Sequence, residues 1–209
     1  MDENIITKEN YCIYNGVKFY FEEESGEYTL EMAEGKVDTL VIPSTINDIP
    51  VTAIHYEEWK TCEFKEVIVS DDNLYFEVID GVLFTKDMKS LLIYPPKKKD
   101  EKYAVPKTVE IIEPDAFSYN DYIKTIIFQN GVRKIYPYAL SCCHNLETVY
   151  LPKTIELVSL KTFYWVEALR NVFFEGTQQE WDNINIAFGN SELEDADIHF
   201  NCHKIQYHI

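Results

Sequence analysis

Basic residues are scarce in this chain: 19 Lys and Arg stand against 36 Asp and Glu, a formal net charge of −17 over 209 residues. A protein that grips nucleic acid neutralises phosphates with Lys and Arg, so this balance argues against nucleic acid and against an anionic membrane surface as partners. The one basic run, Lys97-Lys98-Lys99, is followed at once by Asp100 and Glu101 and reads as a solvated turn. Glycine (7) and proline (8) are sparse, so connections should be short and repetitive. No stretch approaches the ~18 apolar residues of a membrane span. Met1-Asp-Glu-Asn starts acidic, without the positive and apolar regions of a secretory leader. The cysteines, Cys12, Cys62, Cys142, Cys143 and Cys202, are odd in number and irregular in spacing, which makes no disulfide framework.

Catalytic signatures are lacking as well. No Gly-x-Ser-x-Gly elbow, Walker A loop, Gly-x-Gly-x-x-Gly, His-Glu-x-x-His or EF-hand loop occurs. His199, Cys202, His203 and His208 are zinc-ligating types, but at spacings no common site uses. Glu192, Glu194, Asp195 and Asp197 lack the turn glycines and regular oxygen spacing of a calcium loop. The first group reads as a capping or frayed strand and the second as a solvated loop. No catalytic residue, metal or cofactor is expected.

What is present is a repeat. Pro106, Gln129 and Pro152 recur at a 23-residue step, and Val109, Val132 and Ile155 keep it. So do Ile112, Ile135 and Val158; Phe117, Leu140 and Phe163; Ile123, Leu146 and Leu169; and Ile126, Val149 and Val172. A period of this length means a solenoid, in which each turn leaves an apolar face bare until the next covers it. Residues 1–38 precede the repeat and read as a β-hairpin cap, with Val17-Lys-Phe-Tyr-Phe-Glu and Tyr28-Thr-Leu-Glu-Met flanking a loop at Gly26. The solenoid is assigned to 39–176. Its first turn carries a small loop at Asn47, Asp48 and Pro50, and an inserted hairpin breaks the period at about 71–101, where Val82-Leu-Phe84 and Leu91-Leu-Ile-Tyr94 flank turn residues. Residues 177–209 read as a C-terminal cap, with helical spacing over Gln178–Ile184 and a last strand at Asp197-Ile-His-Phe200. The whole is expected to form one structural domain.

Within a turn, strand alternation points Ile126 and Phe128 to the core and Thr125 and Ile127 away from it. Ala139-Leu140 should lie on one turn of helix. Asn120, Cys143 and Val166 share a place that suits a small buried side chain, as does Cys62, three residues after Trp59. The outward column then reads Val41, Ile68, Ala104, Ile127, Tyr150, Phe173, apolar throughout. Its neighbour reads Thr39, Glu66, Lys102, Thr125, Thr148, Asn171 and has no apolar member. An apolar column on an outer sheet face is a candidate contact site for another molecule, with Thr125, Thr148 and Asn171 as its polar flank. The competing expectation is that cap segments or the hairpin cover it, or that strand preference alone selects these residues.

The unit Val105-Pro-Lys-Thr-Val109-Glu-Ile-Ile112-Glu-Pro-Asp-Ala116-Phe117-Ser-Tyr-Asn120-Asp-Tyr-Ile123-Lys-Thr-Ile126 resembles the BspA-type leucine-rich repeat. Val78-Ile-Asp-Gly-Val-Leu-Phe-Thr-Lys-Asp87 with Leu91-Leu-Ile-Tyr-Pro-Pro96, Pro43-Ser-Thr-Ile46 with Ile49-Pro-Val-Thr-Ala-Ile54, and Glu175-Gly-Thr177-Gln-Gln-Glu-Trp181 are similar to the same family. The resemblance covers about residues 15–200. It implies a strand-rich solenoid of the α/β repeat class: a parallel sheet on one face, short helical or 3₁₀ turns opposite. It also implies bacterial, often surface-attached or secreted relatives that adhere to or bind proteins, with no catalytic residue to carry over. The expected function is a non-enzymatic module holding a protein or glycan on its sheet face. A structural or self-associating repeat protein is the alternative.

Overall fold

A computed structural model describes residues 5–7, 11–33, 37–55 and 63–202. The chain divides into two compact units, Met1–Lys98 and Lys99–Ile209.

The first unit is built of strands. β1 (Ile5–Thr7), β2 (Tyr11–Tyr14), β3 (Val17–Glu22) and β4 (Glu27–Ala33) form an antiparallel meander. β5 (Thr39–Ile42) follows, then a hairpin of β6 (Thr45–Ile46) and β7 (Ile49–Ile54). The two residues between β6 and β7, Asn47 and Asp48, both have positive φ (50° and 64°). That geometry matches the right-handed twist of two-residue hairpins, and Asn and Asp tolerate it better than most side chains. β7 continues the meander by pairing in parallel with β4, and β8 (Glu66–Val69) pairs in parallel with β5. β9 (Phe76–Ile79), β10 (Val82–Thr85) and β11 (Ser90–Ile93) are successively antiparallel. The segment read as a hairpin thus holds three strands, with Asp80-Gly81 as the extra turn (φ 51° and 76°). Phe19, Leu30, Leu40, Ile42, Val67 and Leu83 are among its buried core. Asn73, also buried, accepts from the Tyr75 and Phe76 amides and donates to the Pro43 carbonyl. Trp59 and Cys62 lie outside the described residues.

The second unit carries the sequence period into space. β12 (Lys102–Ala104), β14 (Thr125–Ile127), β16 (Thr148–Leu151), β18 (Asn171–Phe174) and β20 (Asp197–His199) form a five-stranded parallel sheet. β13 (Ile111–Ile112), β15 (Lys134–Ile135), β17 (Leu157–Val158) and β19 (Asn185–Ile186) pair in parallel on a second side of the turn. Thr125 pairs with Thr148 and Thr148 with Asn171; Ile112 pairs with Ile135 and Ile135 with Val158. Equivalent side chains therefore bury one another from rung to rung. Val109, Val132, Ile112, Ile135 and Val158 are fully enclosed, and Ile155 is nearly so. Each such side chain is worth about 1.5–3 kcal/mol of burial, and the repeated pattern accounts for the cohesion of the stack.

The third side of each rung is a run of tight turns. Ala139, Ser141 and Cys143 donate to the carbonyls of Tyr136, Tyr138 and Leu140. These three-residue steps have the hydrogen bonding of a 3₁₀ helix. No helix forms, because left-handed residues interrupt the run: Asp115 and Tyr119, Tyr138 and Cys142, Lys161 and Trp165, with φ between 52° and 62°. Both sets recur with the period of the sequence repeat. The helical turn expected at Ala139-Leu140 is thus a chain of turns. Helix among the described residues is confined to α1 (Gln178–Trp181) and α2 (Ser191–Glu194). α1 begins with a capping box: the Thr177 hydroxyl accepts from the Glu180 amide at 3.2 Å and the Thr177 amide donates to the Glu180 carboxylate at 2.7 Å.

The turns also make a ladder of their own. Asp115, Phe117 and Tyr119 amides donate to Pro137, Ala139 and Ser141 carbonyls, and Tyr138, Leu140 and Cys142 amides donate to Leu160, Thr162 and Tyr164 carbonyls. On the last rung side chains complete the ladder. The Lys161 amide still donates to the Phe188 backbone carbonyl, but the Phe163 amide donates to Asn190 Oδ1 at 3.0 Å and the Trp165 amide to Glu192 Oε1 at 2.9 Å. Polar pairs step along the surface at the repeat interval: the ion pairs of Lys124 with Glu101 and Arg133 with Glu156, and the contact of His144 Nδ1 with the Asp121 carboxylate. They are exposed, so their main effect is on register and solubility.

Candidate functional site

The outward columns can be located strand by strand. In the first unit Val41 of β5 and Ile68 of β8 are in register; Val41 is half-buried and Ile68 is 49% exposed. Thr39 and Glu66 pair beside them, with the Thr39 hydroxyl donating to the Glu66 carboxylate at 3.1 Å.

In the second unit Ala104, Ile127, Tyr150 and Phe173 are in register across β12, β14, β16 and β18. Their exposures differ. Ile127, expected to face away from the core, is only 2% exposed, a correction to the reading of that strand. Ile127 sits on an inner strand between Ala104 and the larger Tyr150 on the same face, and Ile126 and Phe128 are buried on the other. Ala104, Tyr150 and Phe173 are half-buried, so part of each reaches solvent.

Tyr150 and Phe173 stack, with centroids 4.7 Å apart and planes 14° from parallel. The separation is the strand spacing of a β-sheet. Phe173 in turn stacks on His199, at 4.6 Å and 16°. The column thus continues onto β20, where His199 is in register with Phe173 and Asp197 with Asn171. His199 Nε2 lies 3.1 Å from Asn171 Oδ1, tying the aromatic column to its polar flank of Thr148, Asn171 and Asp197. Sequence reasoning left His199 out of the column, because the step from β18 to β20 is longer than one repeat. Aligning Ile198 with Val172 would have found it.

Beside this face lies a groove of about 370 Å³ lined by Val166, Glu167, Leu169, Arg170, Glu192, Asp195 and Asp197. Arg170 turns its guanidinium to the Glu167 and Leu169 carbonyls at 2.8 and 2.9 Å. Sequence reasoning also passed over a second exposed group on the turns: Leu160, Trp165 (52% exposed, stacked on Tyr164) and Phe188 (83% exposed). Lys161 lies over the Tyr164 and Tyr138 rings, at 5.1 and 5.8 Å. Of the candidate zinc group, His203 and His208 lie outside the described residues, while the Cys202 thiol donates to the His199 carbonyl. Among the described residues no three His, Cys, Asp or Glu side chains converge as metal ligands, and no helix is long and apolar enough to cross a membrane.

The thiols of Cys12, Cys142 and Cys143 are buried in the fold. Asn120, Cys143 and Val166 fill the same enclosed place in successive rungs; Cys143 donates to the Phe117 carbonyl, and burial holds its thiol far above the usual range. Burial also raises Cys12 from 9.0 to about 11 and Tyr119 from 10.0 to about 12, the latter helped by its hydrogen bond with Cys142. Both groups are neutral in the fold at pH values where the unfolded chain has lost the proton. Stability is therefore complete below pH 9 and lost as pH rises through 11 and 12. Urea titrations should show a constant midpoint from pH 7 to 8.5 and a fall by pH 11, with Cys12 accounting for about 1–3 kcal/mol of it. A Cys12→Val variant should flatten the first part of that fall; an unchanged profile would contradict the assignment.

The sequence pattern described as the BspA type leucine rich repeat region matches six copies over residues 97–209. Among solved structures the chain is similar to the pneumococcal vaccine antigen PcpA, at 20% identity and a TM-score of 0.62, over 83% of this chain and 48% of that one. It is also similar to a leucine-rich repeat protein from Eubacterium ventriosum, at 22% identity and a TM-score of 0.58, over 71% of this chain and 41% of that one. The chain thus spans less than half the length of either, and at these identities the likeness is one of fold. No curated protein matches it. The rung-to-rung register of the second unit, the six matched copies and the shared fold lead to one assignment: this chain belongs to the BspA-type leucine-rich repeat family.

Proposed function

We propose that the chain is a non-enzymatic interaction module that holds a protein partner on the outer sheet face of its second unit. The observation that carries this reading is the stack Tyr150–Phe173–His199. Three rings in line on an outer face offer a rigid apolar ridge that is already ordered, so little entropy is lost when a partner is held there. Aromatic side chains on such a ridge are the kind that dominate interface energetics. The family and its structural neighbours are repeat scaffolds, which fits a surface more readily than a reaction centre.

The apolar column is proposed as Ala104, Tyr150 and Phe173, extended by His199, with Thr125, Thr148 and Asn171 as the polar flank; Val41 and Ile68 are the corresponding face of the first unit. In this reading residues 1–38 and 177–209 serve as end caps.

The test is selection of binders from an unbiased peptide display library, repeated with a Tyr150→Ser/Phe173→Ser double variant whose fold is checked by circular dichroism. Selected peptides should bind the folded variant at least about a hundredfold more weakly, the loss expected for two interface aromatics. Equal binding to both proteins would remove the sheet face as the site. Binding only by assembled copies in sedimentation velocity would replace it with the self-associating alternative.

A further inference from the structure

The ridge ends beside the acidic groove, and its polar flank shares a residue with that groove. Asp197 flanks His199 on the outer face of β20 and also lines the groove with Asp195 and Glu192. Among the described residues, Glu167, Asp195 and Asp197 are exposed and have no ion-pair partner. Arg170, the basic residue of the groove, is engaged with backbone carbonyls. From Glu167 to Asp197 the sequence holds Glu167, Glu175, Glu180, Asp182, Glu192, Glu194, Asp195 and Asp197 against Arg170 alone. An apolar ridge therefore runs beside a patch of net negative charge, four carboxylates against one guanidinium. That patch repels anionic glycans, nucleic acid and acidic proteins, and it attracts cations.

The ring geometry narrows the occupant further. Because the rings stack face to face at 4.6–4.7 Å, Phe173 offers its edge, not its face, to solvent. A ring edge carries positive partial charge, so a guanidinium or ammonium is not held over Phe173; apolar groups are. The cation must go to the carboxylates instead. Along a strand the ring column and the carboxylate column are two residues apart, about 6.6 Å.

From this we infer that the face takes an extended, cationic polypeptide segment in which an apolar residue and a Lys or Arg stand two positions apart. The apolar side chain lies on the Tyr150–Phe173–His199 ridge. The cation lies over Asp197, and a second cation two positions further on reaches Asp195 and Glu167. This rests on the sheet-face reading above and adds the chemistry of the partner.

The test uses the full chain and three fluorescein-labelled peptides. One carries the pattern Leu-Thr-Arg-Thr-Arg, one the same composition as Leu-Arg-Arg-Thr-Thr, and one has Glu for Arg. Fluorescence anisotropy should show the first binding, the second at least about tenfold weaker and the third absent, with affinity falling steeply from 50 to 300 mM salt. Asp195→Asn/Asp197→Asn and Phe173→Ser should each weaken the first peptide by about tenfold or more. Asp182→Asn/Glu194→Gln, which removes the same charge outside the groove lining, should change it less than threefold.

Equal binding of the two Arg peptides, or equal loss in both double-acid variants, means bulk charge attraction and overturns the inference. Binding of all three peptides that Phe173→Ser abolishes and Asp195→Asn/Asp197→Asn leaves intact also overturns it, while the sheet-face reading survives. If none binds while a neutral oligosaccharide binds in a Phe173-dependent way, the partner chemistry is wrong and the face stands. Binding that Phe173→Ser leaves untouched sinks both.

Discussion

Replacing Asn190 by leucine should cost the second unit about 2–4 kcal/mol, because the buried Phe163 amide loses its acceptor at about 1–3 kcal/mol, and the part-buried Ser159 and Ala187 carbonyls each lose a donor, though Ser159 keeps the Thr162 hydroxyl. Asn190 is fully buried. Its Oδ1 accepts from the Phe163 amide, and its Nδ2 donates to the Ser159 carbonyl at 2.9 Å and the Ala187 carbonyl at 2.7 Å. On the rungs below, a backbone carbonyl takes the place of Oδ1: Ala139 for Phe117 and Thr162 for Leu140. Asn190 therefore supplies, from its side chain, the acceptor that the next rung's backbone supplies elsewhere. The expected readout is a lower urea midpoint together with lost hydrogen-exchange protection at the Phe163 amide. Asn183→Ala removes one exposed bond to the Gln179 carbonyl and should stay within about 0.5 kcal/mol. A loss below about 1 kcal/mol for Asn190→Leu would mean that water replaces all three bonds and that the ladder is not sealed here.

The second large effect should come from Phe117→Ala, at about 3–5 kcal/mol. Phe117 is fully enclosed, edge-on to Phe128 at 6.4 Å and tilted against Tyr103 at 6.0 Å. Its amide is tied to the Ala139 carbonyl at 2.7 Å, so the backbone cannot easily collapse into the space. Phe117→Leu keeps most of the volume and should cost less than about 1.5 kcal/mol. Phe188→Ala, at an 83% exposed position on the turns, should change stability by no more than about 0.5 kcal/mol. Thermal and urea unfolding of the three variants side by side gives the comparison. Similar losses for Phe117→Ala and Phe188→Ala would show that enclosure between rungs does not set the stability of the stack.

Much of the second unit was legible before any coordinates. Period and strand alternation together place Thr125, Thr148 and Asn171 in one row and Val109, Val132 and Ile155 in the enclosed stack, because a solenoid repeats its environment whenever it repeats its length. The enclosed place shared by Asn120, Cys143 and Val166 followed in the same way. Legibility failed where the period failed. The steps into β19 and β20 are both longer than one repeat, which hid His199 from the aromatic column. It failed also where alternation was a poor guide to exposure. Ile127 points to the outer face by parity and is nonetheless covered, because exposure depends on what lies over a side chain in space and not on its place in the alternation.

The sequence alone determined that this is a stacked-turn protein of the BspA type, with an acidic surface and no catalytic or disulfide signature, because those properties are carried by spacing and composition. Only the tertiary structure decided that turns interrupted by left-handed residues stand where a helical turn was expected, that Asn190 and Glu192 complete the last rung, and that Tyr150, Phe173 and His199 form one ridge beside an acidic groove. The reason is the same in each case: backbone handedness, side-chain hydrogen bonds across 27 residues and ring stacking between strands depend on neighbours in space, which no periodicity encodes.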